Sequence, residues 1–204
     1  PLISLENQNI LFERSKLENI KKYLENNNTL SKSDLNFLEK ISKKYRTKTN
    51  DKHKYDLVID LLQRVDIIPN SIVLAQAANE SGWGTSRFAT EFNALFGEYT
   101  YNYSDGVVPL LREKGETHLV KAFDSVDKSV QSYFINLNSH NAYNDFRKVR
   151  NIMREKNNFN NIKLLVQQLD SYAADENYIK TINAIIDANK LNRLDAFVYY
   201  LNNS

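Results

Sequence analysis

Gln76-Ala77-Ala78-Asn79-Glu80-Ser81-Gly82-Trp83-Gly84 combines features found nowhere else in the chain: the only tryptophan, two of the five glycines, and a carboxylate at the end of a helical run. The remaining glycines, Gly97, Gly106 and Gly115, follow soon after. Glycine relaxes steric limits where a backbone turns tightly or passes close to a ligand, so a chain otherwise written for helices concentrates its irregular backbone in one window. Just upstream, Pro69 closes the preceding helix and Asn70 or Ser71 can cap the next, which is predicted to run from Ile72 to about Ser81 and to stop at Gly82. The small side chains of Ala75, Ala77 and Ala78 allow this helix to pack closely against others. Val73, Ala77 and Glu80 share one face, which sets a carboxylate on an otherwise apolar side.

A glutamate is seldom buried unless it is paired, and the ordinary reading of Glu80 is a salt-bridged residue near a helix end. Two features point elsewhere. The negative end of the helix dipole disfavours a charged carboxylate there, and Trp83 is at hand to desolvate it. Both effects raise a pKa, as a general acid working near neutrality requires.

On the N-terminal side, residues 1–65 contain no glycine and no proline after Pro1, and read as a helical segment. Asn26 to Thr29 form a polar break, Ser31 or Ser33 can cap the next helix, and Leu35, Leu38, Ile41 and Tyr45 fall roughly along one side. The run from Lys43 to Lys54 reads as an exposed loop. Val58, Leu61, Leu62 and Val65 then recur at the spacing of an amphipathic helix. On the C-terminal side, Tyr99, Tyr101 and Tyr103 alternate as in a strand or extended loop with one aromatic face, suited either to packing or to stacking on sugar rings. Val107 to Leu111 and Thr117 to Phe123 read as a small β-hairpin turning near Gly115. Helices resume after Asp124 or Ser125. Their stripes are Val126, Val130, Tyr133, Phe134 and Leu137; then Phe146, Val149, Ile152 and Met153; then Ile162, Leu165, Val166 and Leu169. Asp175 is expected to cap the helix carrying Tyr178, Ile182, Ile185 and Ile186. Phe197, Tyr199 and Tyr200 close the chain as a docking stripe.

Composition narrows the chemistry. A chain of 204 residues is enough for one domain with an appended segment. Its 27 Lys and Arg nearly balance 25 Asp and Glu, with no long block of one sign, so a nucleic-acid footprint is not expected. The absence of cysteine removes thiol nucleophiles and disulfides. His53, His118 and His140 are too dispersed to suggest a metal site, and no glycine spacing fits a phosphate loop, so neither metal nor cofactor is expected. No run approaches the ~20 apolar residues of a membrane span. The start at Pro1 suggests a processed N-terminus from which a signal peptide was removed. What is left is carboxylate chemistry with aromatic walls, the common design of glycoside hydrolases.

The stretch from Pro69 to Gly84 also resembles the signature of bacterial peptidoglycan N-acetylglucosaminidases of glycoside hydrolase family 73, most closely the Bax-like branch. Further matches follow in order: Asn93 to Gly97 resembles the Asn-x-Leu-Phe-Gly box, and Phe123-Asp124-Ser125 with Ser129, Tyr133 and Leu137 resembles the helix after the hairpin. Asn141-Ala142-Tyr143 resembles the next turn, and Tyr172-Ala173-Ala174-Asp175 with Tyr178 the late tyrosine motif. The resemblance spans about residues 66–187. It implies a mainly α (α+β) class, a lysozyme-like helical domain with a small β-hairpin lobe, here extended by an N-terminal helical segment. The expected organisation is an N-terminal segment over residues 1–65, a glucosaminidase domain over 66–190 and a tail over 191–204 packing on it.

The same resemblance implies an endo-β-N-acetylglucosaminidase that hydrolyses the β-1,4 bond after N-acetylglucosamine in peptidoglycan. Glu80 matches the general acid, and Tyr172 the tyrosine lining the cleft beside it. Trp83 and Phe96 match positions that shape the site, and Gln76, Asn93, Tyr99 and Tyr101 join them as expected substrate contacts. Many relatives carry a second glutamate on the first hairpin strand, where strict counting places Leu111. Glu113 is the foremost substitute for it, with Glu116 and Glu98 as others, and the substrate's own acetamido group as a further nucleophile. Rival readings are a lytic transglycosylase on the same fold and a non-catalytic wall-binding module. The expected partner is peptidoglycan, the expected location the periplasm or the exterior. The N-terminal helices are open to packing on the body, covering the cleft or binding an envelope protein, with packing preferred because Val58 to Val65 lead straight into the Glu80 helix.

Overall fold

The computed structural model describes residues 1–48, 53–109, 112, 115, 117–159, 161–173 and 175–195. Three helices open the chain: α1 (Leu2–Glu25), α2 (Lys32–Lys44) and α3 (Lys54–Arg64). Helix α4 (Asn70–Ser81) carries the stretch quoted above, and the short α5 (Arg87–Phe92) follows. A three-stranded antiparallel sheet comes next, with β1 (Tyr99–Thr100), β2 (Gly106–Val107) and β3 (Leu119–Lys121) in the spatial order β1-β3-β2. Then come α6 (Val126–Ser139), α7 (Asn144–Glu155), α8 (Lys163–Val166) and α9 (Tyr178–Ala188), with 3₁₀ turns at Asn141–Tyr143, Asp170–Tyr172 and Leu191–Leu194. The protein is thus mainly α with one small sheet.

The first helices are part of the body. Ile10, Leu17 and Ile20 of α1 and Leu38 and Ile41 of α2 belong to the same buried cluster as Val73 of α4 and Phe134 of α6, and α1 packs on α3, α6 and α4. A polar clasp reinforces this apolar contact. Asn7 exchanges two hydrogen bonds with the backbone of Ile68, at 2.9 and 3.0 Å, and Arg14 donates to the carbonyls of Leu62 and Val65 at 2.6 and 3.1 Å. These carbonyls lie where α3 ends and have no helical partner of their own.

The link between α3 and α4 is braced from a second side as well. Arg150 of α7, fully buried, donates to the carbonyls of Gln63, Arg64, Asp66 and Ile67 at 3.0 to 3.1 Å. Asp66, 1% exposed, receives Arg154 at both carboxylate oxygens and stands 3.4 Å from Arg14. Burial by itself would raise the Asp66 pKa, but the guanidinium groups of Arg14, Arg154 and Arg150 outweigh it and hold the carboxyl below its usual range.

Helix α4 starts one turn after this hub. No side chain of its own caps it; instead Asp195 accepts from Ser71 N and Ser71 Oγ at 2.9 and 2.6 Å, and Asn70 donates to the carbonyl of Leu194 at 3.0 Å. The expected local cap at Asn70 or Ser71 is thus replaced by a carboxylate from the far end of the chain, placed at the positive end of the helix dipole. Of the expected C-terminal stripe, Phe197, Tyr199 and Tyr200 lie outside the described residues.

Several local expectations need correction. The basic run from Lys43 is not simply an exposed loop: α2 continues to Lys44, Tyr45 is fully buried and donates to Glu13 Oε2 at 2.7 Å, and Thr47 is buried too. Leu35 and Ile152 sit at the edges of their helical stripes and are 42% and 48% exposed. The strands are shorter than their pattern suggested, and only Tyr99 of the three alternating tyrosines lies in one. Asp175 serves the start of α9 by accepting from Asn177 N at 2.9 Å, while Asn177 itself is the cap residue. In the sheet, a Cβ on Gly106 would stand 2.6 Å from the Leu119 Cβ, so only glycine lets β2 approach β3 there.

Candidate active site

The C-terminal end of α4 is shaped by two successive left-handed residues. Gly82 has φ +57 and Trp83 φ +59, and the Trp83 N–H returns to the Ala78 carbonyl at 2.7 Å. Ser81 locks the turn by donating to the Ala77 carbonyl at 2.6 Å and accepting from Gly84 N at 2.7 Å. A left-handed conformation costs a bulky side chain energy that glycine does not incur. The strain turns Trp83 outward: it is 63% exposed and lines a depression of about 490 Å³ with Asn177, Lys180, Thr181 and Ile185 beside α9.

Glu80, on the last turn, is half-buried, and burial raises its pKa; the Asn79 amide, 3.2 Å away, and the Tyr178 hydroxyl act in the opposite direction. Gly97 comes close as well. It has φ +61, and a Cβ there would lie 3.4 Å from Glu80 Oε2, so glycine leaves that side of the carboxyl uncrowded.

Around this carboxyl stands a cluster of tyrosines from four elements. Tyr172 donates to the Phe96 carbonyl at 2.9 Å, pinning the loop that carries Gly97, and its ring stacks on Tyr178 with centroids 5.7 Å apart and 9° between planes. Tyr133 of α6 stacks on Phe96 at 4.1 Å, and Tyr143 lies 6.0 Å from Tyr172. Burial raises the pKa of all four phenols, Tyr143 to about 12, so they keep their protons and serve as hydrogen-bond donors.

Glu98 is a second acid in this region. Ser132 donates to its Oε2 at 2.9 Å, and Lys121 in turn donates to Ser132 at 3.1 Å. Its other oxygen is enclosed without a hydrogen-bond partner, and burial raises its pKa. Glu98 and Glu80 both act on Tyr133 and Tyr143, so the two acids border one tyrosine cluster.

The structure redistributes the other expected site residues. Gln76, expected as a substrate contact, is fully buried and bonded to Tyr178 and Tyr133. Asn93 caps α5 in a left-handed conformation and donates to the Phe123 carbonyl at 3.0 Å, which ties the start of the lobe to its end. Phe96 is 2% exposed and forms the wall behind the cluster. Tyr172 directs its hydroxyl at the Phe96 carbonyl, and the tyrosine hydroxyl that lowers the Glu80 pKa is that of Tyr178. Trp83, expected to desolvate Glu80, is exposed and faces α9. Tyr99 and Tyr101 are 65% and 73% exposed, Tyr99 leaning on His118 with ring centroids 4.5 Å apart. Glu113, Glu116 and Leu111 lie outside the described residues. Gly97 and Tyr178 fall in the motifs that the sequence singled out, but their closeness to Glu80 did not show there, although the spacing of four places Gln76 and Glu80 on one side of α4.

A larger cavity, about 1140 Å³, lies elsewhere, between α1, α2 and the outer side of α6 and the sheet. It shares Ser132 with the Glu98 hydrogen bond but does not include Glu80. Size alone does not locate chemistry. The acid on an uncharged, tyrosine-lined wall is the better candidate. Among the described residues no group of three or more His, Asp or Glu is placed to hold a metal ion, and no helix is long and apolar enough to cross a membrane.

Comparison with known proteins adds to this geometry. The glucosaminidase family, described as mannosyl-glycoprotein endo-beta-N-acetylglucosaminidase, matches residues 55–191. Protein bax of Escherichia coli (strain K12) is 37% identical over 136 residues, covering 67% of this chain and 48% of that protein. Exo-glucosaminidase LytG of Bacillus subtilis (strain 168) is 30% identical over 146 residues, covering 66% of this chain and 49% of that protein. The chain thus spans about half the length of the curated relatives it matches. Among solved structures, the catalytic domain of the autolysin Auto from Listeria monocytogenes aligns over 90% of this chain and 88% of its own, with a TM-score of 0.49 and 19% identity.

Proposed function

This chain belongs to the glucosaminidase family, and from that premise we propose that it is a glycoside hydrolase of bacterial cell wall, cleaving the β-1,4 bond after N-acetylglucosamine with Glu80 as general acid. The observation that carries the assignment is the state of Glu80: half-buried, its pKa raised by burial, and offset only by the neutral Asn79 and Tyr178. A carboxyl whose pKa burial raises is suited to deliver its proton to a leaving glycosidic oxygen.

In this reading the sugar at the scissile bond lies over Gly97, and the exposed Trp83, Tyr99 and Tyr101 contact the glycan on either side. The second group is Glu113 or Glu116 of the segment joining β2 to β3, or the substrate's acetamido oxygen. Glu98 joins these candidates because it borders the same tyrosines. Residues 66–190 form the catalytic unit, and residues 1–65 stiffen it through the clasp of Asn7 and Arg14. Action in the cell envelope, in the periplasm or outside the cell, follows from the substrate.

Mass spectrometry of digested peptidoglycan tests the proposal. Reducing N-acetylglucosamine ends are expected. Anhydro-muramyl ends would instead mark a lytic transglycosylase, and binding to insoluble wall without soluble fragments would mark a non-catalytic module.

A further inference from the structure

Gln76 is fully buried, yet both ends of its amide are satisfied by tyrosines of two other helices. The Tyr133 hydroxyl donates to Gln76 Oε1 at 2.5 Å, and Gln76 Nε2 donates to the Tyr178 hydroxyl oxygen at 2.7 Å. A phenol has a single proton to donate. With an amide N–H already directed at its oxygen, Tyr178 has its proton free for another acceptor, and Glu80, one turn beyond Gln76 on the same face of α4, is the carboxyl on which its hydroxyl bears. Gln76 and Glu80 are one turn apart on α4, so the same face of the helix meets Tyr178 twice. The Tyr178 ring has little freedom, because Tyr172 stacks on it and is itself anchored to the Phe96 carbonyl.

We infer that Gln76 and Tyr178 are a positioning pair for Glu80: the amide aims the Tyr178 O–H, and the O–H holds the carboxyl in place. The inference rests on Glu80 being the acid of the site. It gives a role to a glutamine that the sequence offers as a substrate contact, and to a tyrosine that the sequence offers as part of the late tyrosine motif without a role.

The consequence is electrostatic. A donor aimed at a carboxylate favours its charged form, so Tyr178 acts against the burial that raises the Glu80 pKa. Once Glu80 has given its proton to the leaving oxygen, the carboxylate that remains already has a hydrogen bond waiting. The other polar and titratable groups that bear on Glu80 are Asn79 on its own helix, Tyr172 in the turn before α9 and Tyr133 on α6. Tyr143 and Glu98, on the 3₁₀ turn after α6 and the loop before β1, complete the surroundings.

The test is a carbon-13 carboxyl titration of Glu80 by NMR, with the resonance identified by its loss in Glu80→Gln. It compares the wild type, Tyr178→Phe, Gln76→Met and the double variant. Removing the donor in Tyr178→Phe raises the Glu80 midpoint by about half a pH unit or more. Gln76→Met leaves the Tyr178 proton unaimed and raises the midpoint by a smaller amount. In the double variant the glutamine change adds nothing, because it acts only through Tyr178. A midpoint unmoved in Tyr178→Phe overturns the inference, as does a Gln76→Met shift that persists in full without the hydroxyl. Tyr178→Phe removes one oxygen from a stacked ring and keeps the arm readable should Gln76→Met fail to fold. The titration needs no turnover, so a failure of the proposed activity shows separately, as intact wall after incubation with the wild type.

Discussion

The two ends of the α3–α4 region bury a carboxyl each, with opposite results. Asp66, at the hub before α4, is almost wholly enclosed but stands among Arg14, Arg150 and Arg154, which hold it in the charged form. Glu80, at the far end of the same helix, is less buried, yet what surrounds it is tyrosine, glycine and asparagine, and its pKa rises. Burial penalises charge in both places; the presence or absence of a counter-charge decides the outcome. Asp66 is thus held ionised to fix a backbone, while burial favours the protonated form of Glu80.

Removing charge at the hub is the harshest way to probe this contrast. Asp66→Asn leaves buried guanidinium groups without their counter-ion, and a loss of about 3 to 5 kcal/mol is expected in denaturant unfolding. The loss is pH-dependent with a definite sign. The folded-state pKa of Asp66 is lowered, so its contribution is present above the unfolded pKa and disappears as pH falls through the folded value. The gap between wild type and Asp66→Asn therefore closes in acid. A gap independent of pH would show that Asp66 acts through packing alone.

Asp195→Ala probes the start of α4 more gently. It removes the cap on Ser71, and a loss of about 1 kcal/mol, within a range of about 0.5 to 2, is expected from the same measurement. Its dependence on salt should be slight, since Asp195 is 3% exposed.

The smallest effect is at the other end, and it has the reverse sign. Because the folded-state pKa of Glu80 is raised, its contribution is present below the unfolded pKa and is lost as pH rises through the folded value. Glu80→Gln is accordingly expected to melt slightly higher than wild type at neutral pH, with the difference fading in acid. Melting curves at acid and neutral pH check this, and a variant less stable than wild type throughout would contradict it.

What could be read from the sequence follows from the range of the interactions. The helix ending at Gly82 and the end-of-helix position of Glu80 depend on neighbours a few residues away, and the pattern shows them. The hub does not show, because Asp66 meets Arg154 across 88 residues, nor does the α4 cap, where Ser71 and Asp195 are 124 apart. The burial of Gln76 did not show for the same reason: its partners Tyr133 and Tyr178 lie 57 and 102 residues away. The outward turn of Trp83 was hidden because nothing in a tryptophan announces a left-handed backbone. Tyr45 and Thr47 sit in a run of lysines that looks solvated, and only the Glu13 carboxylate on α1 explains why Tyr45 is inside.

The central claim is that Glu80 supplies the proton. The most direct measurement is the rate at which purified peptidoglycan is solubilised by Glu80→Gln relative to wild type, with both shown to be folded by their melting curves. The account expects a fall of about 10² to 10⁴-fold at almost constant shape. Full wall-lytic activity in a folded Glu80→Gln protein would contradict it.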